Sequence, residues 1–257
     1  MTSVNSSILA VGTGPAARDI AIARRSGAAP GLFWLGGFRS DMAGSKAMAL
    51  DGLGAERGLA VTRFDYSGHG ISGGDFNAGT ISRWLEEAAA VYATTAGPQI
   101  IVGSSMGGWI ALLLARALLA AGTPARGLVL VAPAPDMTHE LMSPNFTLQE
   151  HQQLQAQGYV EQPSQYSDQP YRITKALLDD GEQHLLFGSV IETGCPVTIL
   201  QGGQDPDVPP AHAIKLVTHI LHDPVTLTLI PDGDHRLSRD EDLARLRDAV
   251  LRLVEAP

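Results

Sequence analysis

The sequence predicts an α/β fold, with a mostly parallel sheet flanked by helices on both faces and one inserted helical lid. Three observations carry that expectation. Apolar, β-branched runs alternate with helical stretches from Gly31 to Ala132 and again from Pro196 to Val254. Strict alternation of this kind requires a parallel sheet covered on both faces. The alternation stops between about Asp136 and Glu192, where the chain becomes polar and rich in glutamine. The third observation is Gly103-Ser104-Ser105-Met106-Gly107, a Gly-x-Ser-x-Gly pattern standing where a strand ends and a helix begins.

Each element has its own local cause. Ile8 to Val11 and Asp19 to Ala23 flank Gly12-Thr13-Gly14-Pro15 and read as two short strands joined by a turn. Gly31-Leu32-Phe33-Trp34-Leu35 is apolar throughout and ends at Gly36-Gly37, as a strand buried on both faces would. Ser45 to Arg57 is helical, with Gly58 as its C-cap. Leu59 to Tyr66 is a strand running into Ser67-Gly68-His69-Gly70, a turn that needs positive φ. Thr80 to Thr95 is a helix, with Thr80 or Ser82 as cap and Gly97-Pro98 as stop. The strand Gln99 to Val102 leads through the Gly-x-Ser-x-Gly turn into a helix ending near Ala121. Gly127 to Ala132 is a strand halted by Pro133 and Pro135.

Within the polar stretch, Thr147 to Gln157 and Thr174 to Leu186 are the expected helices. An insertion of this size after a central strand is well placed to cover a site. Regular alternation then returns with strand Pro196 to Leu200, helix Pro210 to Leu221, strand Val225 to Ile230 and helix Ser238 to Val254. The expected organisation is a core of residues 1–135 and 193–257 with a lid of residues 136–192.

Composition narrows the function. Asp and Glu total 27 against 18 Lys and Arg, a formal charge of -9, which argues against nucleic acid and anionic membrane surfaces as partners. The most apolar helix is interrupted by Arg116 and is too short to span a bilayer, so no membrane insertion is expected. The single cysteine, Cys195, precedes Pro196 at a buried-looking strand and reads as an inert structural thiol. With no basic residue among the first ten, the expected location is the cytoplasm.

The chemistry follows from Ser105. A seryl hydroxyl needs a base to take its proton, and the base needs a carboxylate to fix its tautomer. Within the turn after Val102, Ser105 is the serine with glycine two residues before and two after; Ser104 has Val102 and Met106 there. On a doubly wound sheet the three groups come in the order Ser, acid, His. His235 follows the strand ending at Ile230, whereas His139, His151 and His184 fall in the lid region, and His212, His219 and His222 on or beside a helix. His69, in the Gly68-His69-Gly70 turn, reads first as a turn residue, with approach to the site as the alternative. Asp205 is the preferred acid. Asp207 shares its loop, Asp136 is a third option, and Asp234 is too close to His235 in sequence to orient it. The backbone amides of Met106, at a helix N-terminus, and Phe38, after Gly36-Gly37, are the expected oxyanion donors. Arg39 would face an anionic leaving group or pair with Asp41.

Taken together, Arg63-Phe64-Asp65-Tyr66-Ser67-Gly68, the stretch from Val102 to Trp109, and Asp234-His235-Arg236 resemble the α/β-hydrolase-fold serine hydrolases. Within them they are similar to the branch of mitochondrial palmitoyl-protein thioesterases and acyl-glucuronide esterases. Pro163-Ser164-Gln165-Tyr166-Ser167 and Cys195-Pro196 match the same pattern. The resemblance implies a triad of Ser105, Asp205 and His235 and favours Asp205 over Asp207. It departs at Gln201, at Gly36 and most of all in the rest of the lid. The expected activity is hydrolysis of a carboxylic ester or thioester of a small-molecule acyl substrate, with no cofactor and no metal. The same groups would serve an aminopeptidase or an acyltransferase, and a hydrolase-fold binding module is the alternative from another class.

Overall fold

The computed structural model describes residues 4–163 and 170–256. Eight strands form one sheet: β1 (Val4–Val11), β2 (Arg18–Arg25), β3 (Ala28–Leu35), β4 (Leu59–Phe64), β5 (Gln99–Ser104), β6 (Gly127–Val131), β9 (Val197–Gly202) and β10 (Val225–Ile230). Their order is β1-β2-β4-β3-β5-β6-β9-β10. The first two strands form an antiparallel hairpin from Val4↔Arg25 to Val11↔Arg18, and β2 pairs antiparallel with β4. From β4 to β10 every pairing is parallel. β1 runs four residues further back than its apolar pattern predicts. It is exposed along most of its length, so ladder hydrogen bonds hold it and burial leaves no periodic mark.

Parallel strands need long crossovers, and these are α1 (Ser45–Arg57), α2 (Ile81–Tyr92), α3 (Met106–Ala120), α6 (Pro210–His219) and, closing the chain, α7 (Asp240–Glu255). Side chains of successive strand residues point to opposite faces, which splits the interior into two cores. Ile101, Leu128, Leu130, Val197 and Ile199 pack under α2, α3 and α6. Ile100, Val102, Val129, Val131 and Leu200 pack under α1 and α7. α3 is apolar on nearly every side because Met106 to Ala115 are all buried. Gly58 closes α1 in the left-handed region at φ 68°, and Thr80 caps α2 by accepting from the Arg83 amide.

The polar excursion between β6 and β9 holds α4 (Leu148–Gln157), β7 (Tyr159–Gln162), β8 (Tyr171–Thr174) and α5 (Lys175–Gly181). The expected wholly helical insertion is thereby corrected, since β7 and β8 pair as an antiparallel hairpin. Four-residue strands are too short to show a period of two. Leu154, Val160, Ile173 and Leu178 give this unit a small core of its own. The second expected helix begins where predicted, with Thr174 ending β8 and capping α5, but its α-helical part stops at Gly181, short of Leu186. Residues 164–169, which carry most of the Pro163 to Ser167 match, lie outside the described residues.

Candidate active site

Crossovers that all lie at the carboxyl ends of parallel strands gather their first residues at one edge of the sheet, the edge that collects ligands in such folds. Ser105, after β5, sits at φ 54° and ψ -120°, a region that non-glycine residues occupy only under constraint. The constraint is visible. Its amide donates to the Val131 carbonyl at 2.9 Å, and its carbonyl accepts from Gly108 at 2.8 Å and Ala134 at 3.1 Å. The flanking glycines are obligatory for steric reasons. A Cβ on Gly103 would lie 2.3 Å from the Gly107 carbonyl oxygen, and one on Gly107 would lie 2.2 Å from that of Leu35.

The structure brings Ser105, His235 and Asp205 together. His235 Nε2 stands 3.1 Å from Ser105 Oγ, and His235 Nδ1 stands 2.9 Å from Asp205 Oδ2. A carboxylate only accepts, so Nδ1 carries the proton and the Nε2 lone pair faces the hydroxyl. Asp205 is buried and aimed by further donors. Its Oδ1 accepts from the amides of Asp207 and Val208 at 2.9 and 2.8 Å, and its Oδ2 from Gln201 Nε2 at 3.2 Å. The loops carrying Asp205 and His235 are joined by Gly203 N to Ile230 O and Gln204 N to Gly233 O. The Lys46 ammonium donates to the Arg236 carbonyl, next to the imidazole. The other acids stand elsewhere. Asp207 is exposed, Asp234 caps the Leu237 amide, and Asp136 binds the amides of Leu186 and Phe187.

The loop after β3 lies against the serine. A Cβ on Gly37 would come within 3.2 Å of the Ser104 carbonyl oxygen and 3.3 Å of Ser105 Cβ. The amides of Phe38 and Met106 find no acceptor among the described residues, and the Met106 amide opens α3, where the helix dipole favours negative charge. The Phe38 ring packs at 4.9 Å on Phe76 and 6.0 Å on both Trp84 and Tyr171. Arg39 follows at φ 60°. The expected pair with Asp41 is not among the ion pairs of the described residues. The Arg39 guanidinium instead lies 5.2 Å from the ring centroids of Phe76 and Tyr171, and Asp41 accepts from the Ala43 amide. Stacking on two rings suits a planar cation.

These surroundings agree with what the chain resembles. The pattern of the alpha/beta hydrolase family matches residues 27–249. The chain belongs to that family. It is 33% identical over 230 residues to the mitochondrial palmitoyl-protein thioesterase ABHD10 of Bos taurus, covering 89% of this chain and 74% of that one. Among solved structures, a putative hydrolase from Agrobacterium vitis S4 is 50% identical, with a TM-score of 0.95 over 98% of this chain and 100% of that one. The alpha/beta hydrolase domain-containing protein 10 from mouse is 29% identical, with a TM-score of 0.84 over 97% and 98% of the two chains. The protein is thus a hydrolase of the ester-bond class.

Within this alpha/beta hydrolase the remaining histidines separate by burial. His139, His151 and His222 are exposed. His212 is not a surface residue. It is buried and holds the Pro135 carbonyl at 2.8 Å. His69 is more than a turn residue: it is 4% exposed, with Nε2 3.1 Å from the Arg39 amide nitrogen. Its signal in the sequence is its place between Gly68 and Gly70, both at positive φ, a setting that lets a turn push a ring inward. Burial raises the Cys195 thiol to about 11, so it is no thiolate at neutral pH. Asp205, Asp207 and His235 each offer a donor within 4.8 Å of the others. Two of those donors are already engaged with each other, which makes the cluster a hydrogen-bonded relay rather than an open cation site.

Proposed function

We propose that this enzyme hydrolyses carboxylic esters or thioesters through an acyl-enzyme on Ser105. The observation that carries the reading is the unbroken chain from Ser105 Oγ through the His235 ring to Asp205. Ser105 Oγ attacks the acyl carbonyl as its proton passes to His235 Nε2. The imidazolium returns that proton to the departing alcohol or thiol. Water then repeats the sequence on the acyl-serine, giving the free acid and the original hydroxyl. Asp205 holds the tautomer, and the amides of Met106 and Phe38 receive the negative oxygen.

Residues 136–192 act in this reading as a lid on a core of residues 1–135 and 193–257. Tyr171 supports it, because β8 brings that ring onto Phe38 and Arg39. Long-chain acyl thioesters are the first substrates to try, since the Bos taurus relative is named a palmitoyl-protein thioesterase. The charge of -9 supports a small substrate over a polyanion. A reducing, cytoplasmic setting belongs to the same reading and suits the lone buried thiol of Cys195. Arg39, beside Phe38 and in no ion pair among the described residues, supports preference for an anionic leaving group.

Two experiments test these assignments. A fluorophosphonate probe labels the parent chain, and Ser105→Ala loses the label while melting as before; persistent labelling of that variant removes the assignment. Arg39→Ala lowers kcat/KM about tenfold for an ester whose leaving group bears a carboxylate and much less for its neutral analogue, the scale of one charge-assisted hydrogen bond. Equal losses on both remove the role of Arg39.

A further inference from the structure

Gly36 and Gly37 leave the loop after β3 with little conformational preference of its own, yet its amides must stand still to receive a developing charge. We propose that His69 is the positioning residue that holds this loop, by accepting the Arg39 amide hydrogen and so fixing the peptide that follows Phe38. The proposal rests on the reading of Phe38 as an oxyanion donor.

The geometry is specific to a neutral imidazole. His69 Nδ1 stands 3.1 Å from the Ser67 carbonyl oxygen, an acceptor, so Nδ1 carries the hydrogen and Nε2 must be the lone pair. That lone pair meets the Arg39 amide at 3.1 Å. The ring is boxed edge-to-face by Tyr66 at 5.8 Å, Phe76 at 5.1 Å and Trp84 at 5.3 Å. Phe76 and Trp84 are two of the three rings that hold the Phe38 side chain. One aromatic box therefore grips the loop by a side chain and by a backbone amide. The grip also explains how Arg39 is kept at φ 60°, a region that non-glycine residues occupy only under constraint. Burial lowers the His69 pKa to about 4, which keeps the acceptor available at neutral pH. The hydrogen bonds and ring contacts of His69 run to Arg39, Ser67, Tyr66, Phe76 and Trp84, none of them a member of the triad, so it acts through the loop.

The test compares His69→Leu, which fills the box without an acceptor, with His69→Gln, which retains an acceptor and a donor. The leucine variant should lose about tenfold or more in the second-order rate of fluorophosphonate labelling and in kcat, a scale set by small misplacements of catalytic groups. KM and the affinity for the product acid should stay within twofold, and glutamine should restore most of the loss. Hydrogen exchange at the Arg39 amide should rise in the leucine variant alone. Leucine reacting at the parent rate, or leucine and glutamine losing equally, overturns the proposal. Should the leucine chain fail to fold, His69→Asn, whose shorter amide reaches Ser67 but not Arg39, takes its place under the same criteria. A parent chain inert to the probe overturns the reading of Ser105 itself, and the role of His69 with it.

Discussion

Two aspartates share the loop after β9, and only their surroundings tell them apart. Asp205 is buried and saturated by two backbone amides, Gln201 and His235, whereas Asp207 is exposed. A buried carboxylate aimed from several sides can orient a ring, and it is Asp205 that faces His235 Nδ1. Asp205→Asn should therefore lower kcat about 10³-fold or more, because an amide at this position no longer enforces the Nδ1–H tautomer. The melting temperature should change far less than the rate, and steady-state kinetics beside a thermal melt would show it. Spacing along the chain could nominate Asp205 but could not exclude Asp207 or Asp136, since all three follow strands at the same edge. The same limit applied to His69. A histidine between two glycines reads as a solvated turn until Phe76 and Trp84, contributed by other segments, are seen to enclose it.

Among the elements, the strand–turn–helix around Ser105 was legible because it is local. Gly103 and Gly107 are required by contacts within a few residues or with the adjacent strand, and local steric demand writes itself into residue type. The excursion between β6 and β9 was less legible because its constraints are distant. Asp136, at φ 56°, binds the amides of Leu186 at 2.8 Å and Phe187 at 2.9 Å, so one carboxylate ties the start of the segment to its end, some 50 residues on. Burial raises the Asp136 pKa against the pull of those amides. Ser82 and His184, 2.7 Å apart, add a tie to α2. Asp136→Ala should leave the two amides without their acceptor, cost about 1–3 kcal/mol, and speed protease cutting within residues 136–192 relative to the core. Cutting at the parent rate would show that Asp136 does not hold the excursion.

For the whole molecule, two cores on opposite faces of one sheet make stability a shared property, and acid is a lever on it. His69 has a pKa lowered from 6.5 to about 4 by burial, with the Arg39 charge adding to the effect. Between those values the unfolded chain takes up a proton that the folded chain refuses. The contribution is present in full above about pH 6.5 and is lost as pH falls through 4, with a ceiling of about 3 kcal/mol. Asp65 and Asp136, both raised by burial, work in the opposite sense over their own titrations. The difference between parent and His69→Gln isolates the histidine. Denaturant midpoints from pH 7 to 4 should fall more steeply for the parent, and parallel curves would refute the assignment.

Taken alone, the amino-acid order determined the alternation of strands and helices, the turn at Ser105 and the chain order of serine, acid and histidine. Each is encoded by neighbours a few residues apart, through periodicity, glycine sterics and caps. Tertiary structure decided which aspartate meets His235, that β7 and β8 pair, that Arg39 lies on two rings instead of on Asp41, and that His69 holds the loop beside the serine. Those outcomes depend on groups 9 to 15 residues apart in the β7–β8 hairpin and 30 apart at Asp205–His235 and Arg39–His69, and burial of one against another leaves no pattern in either segment by itself.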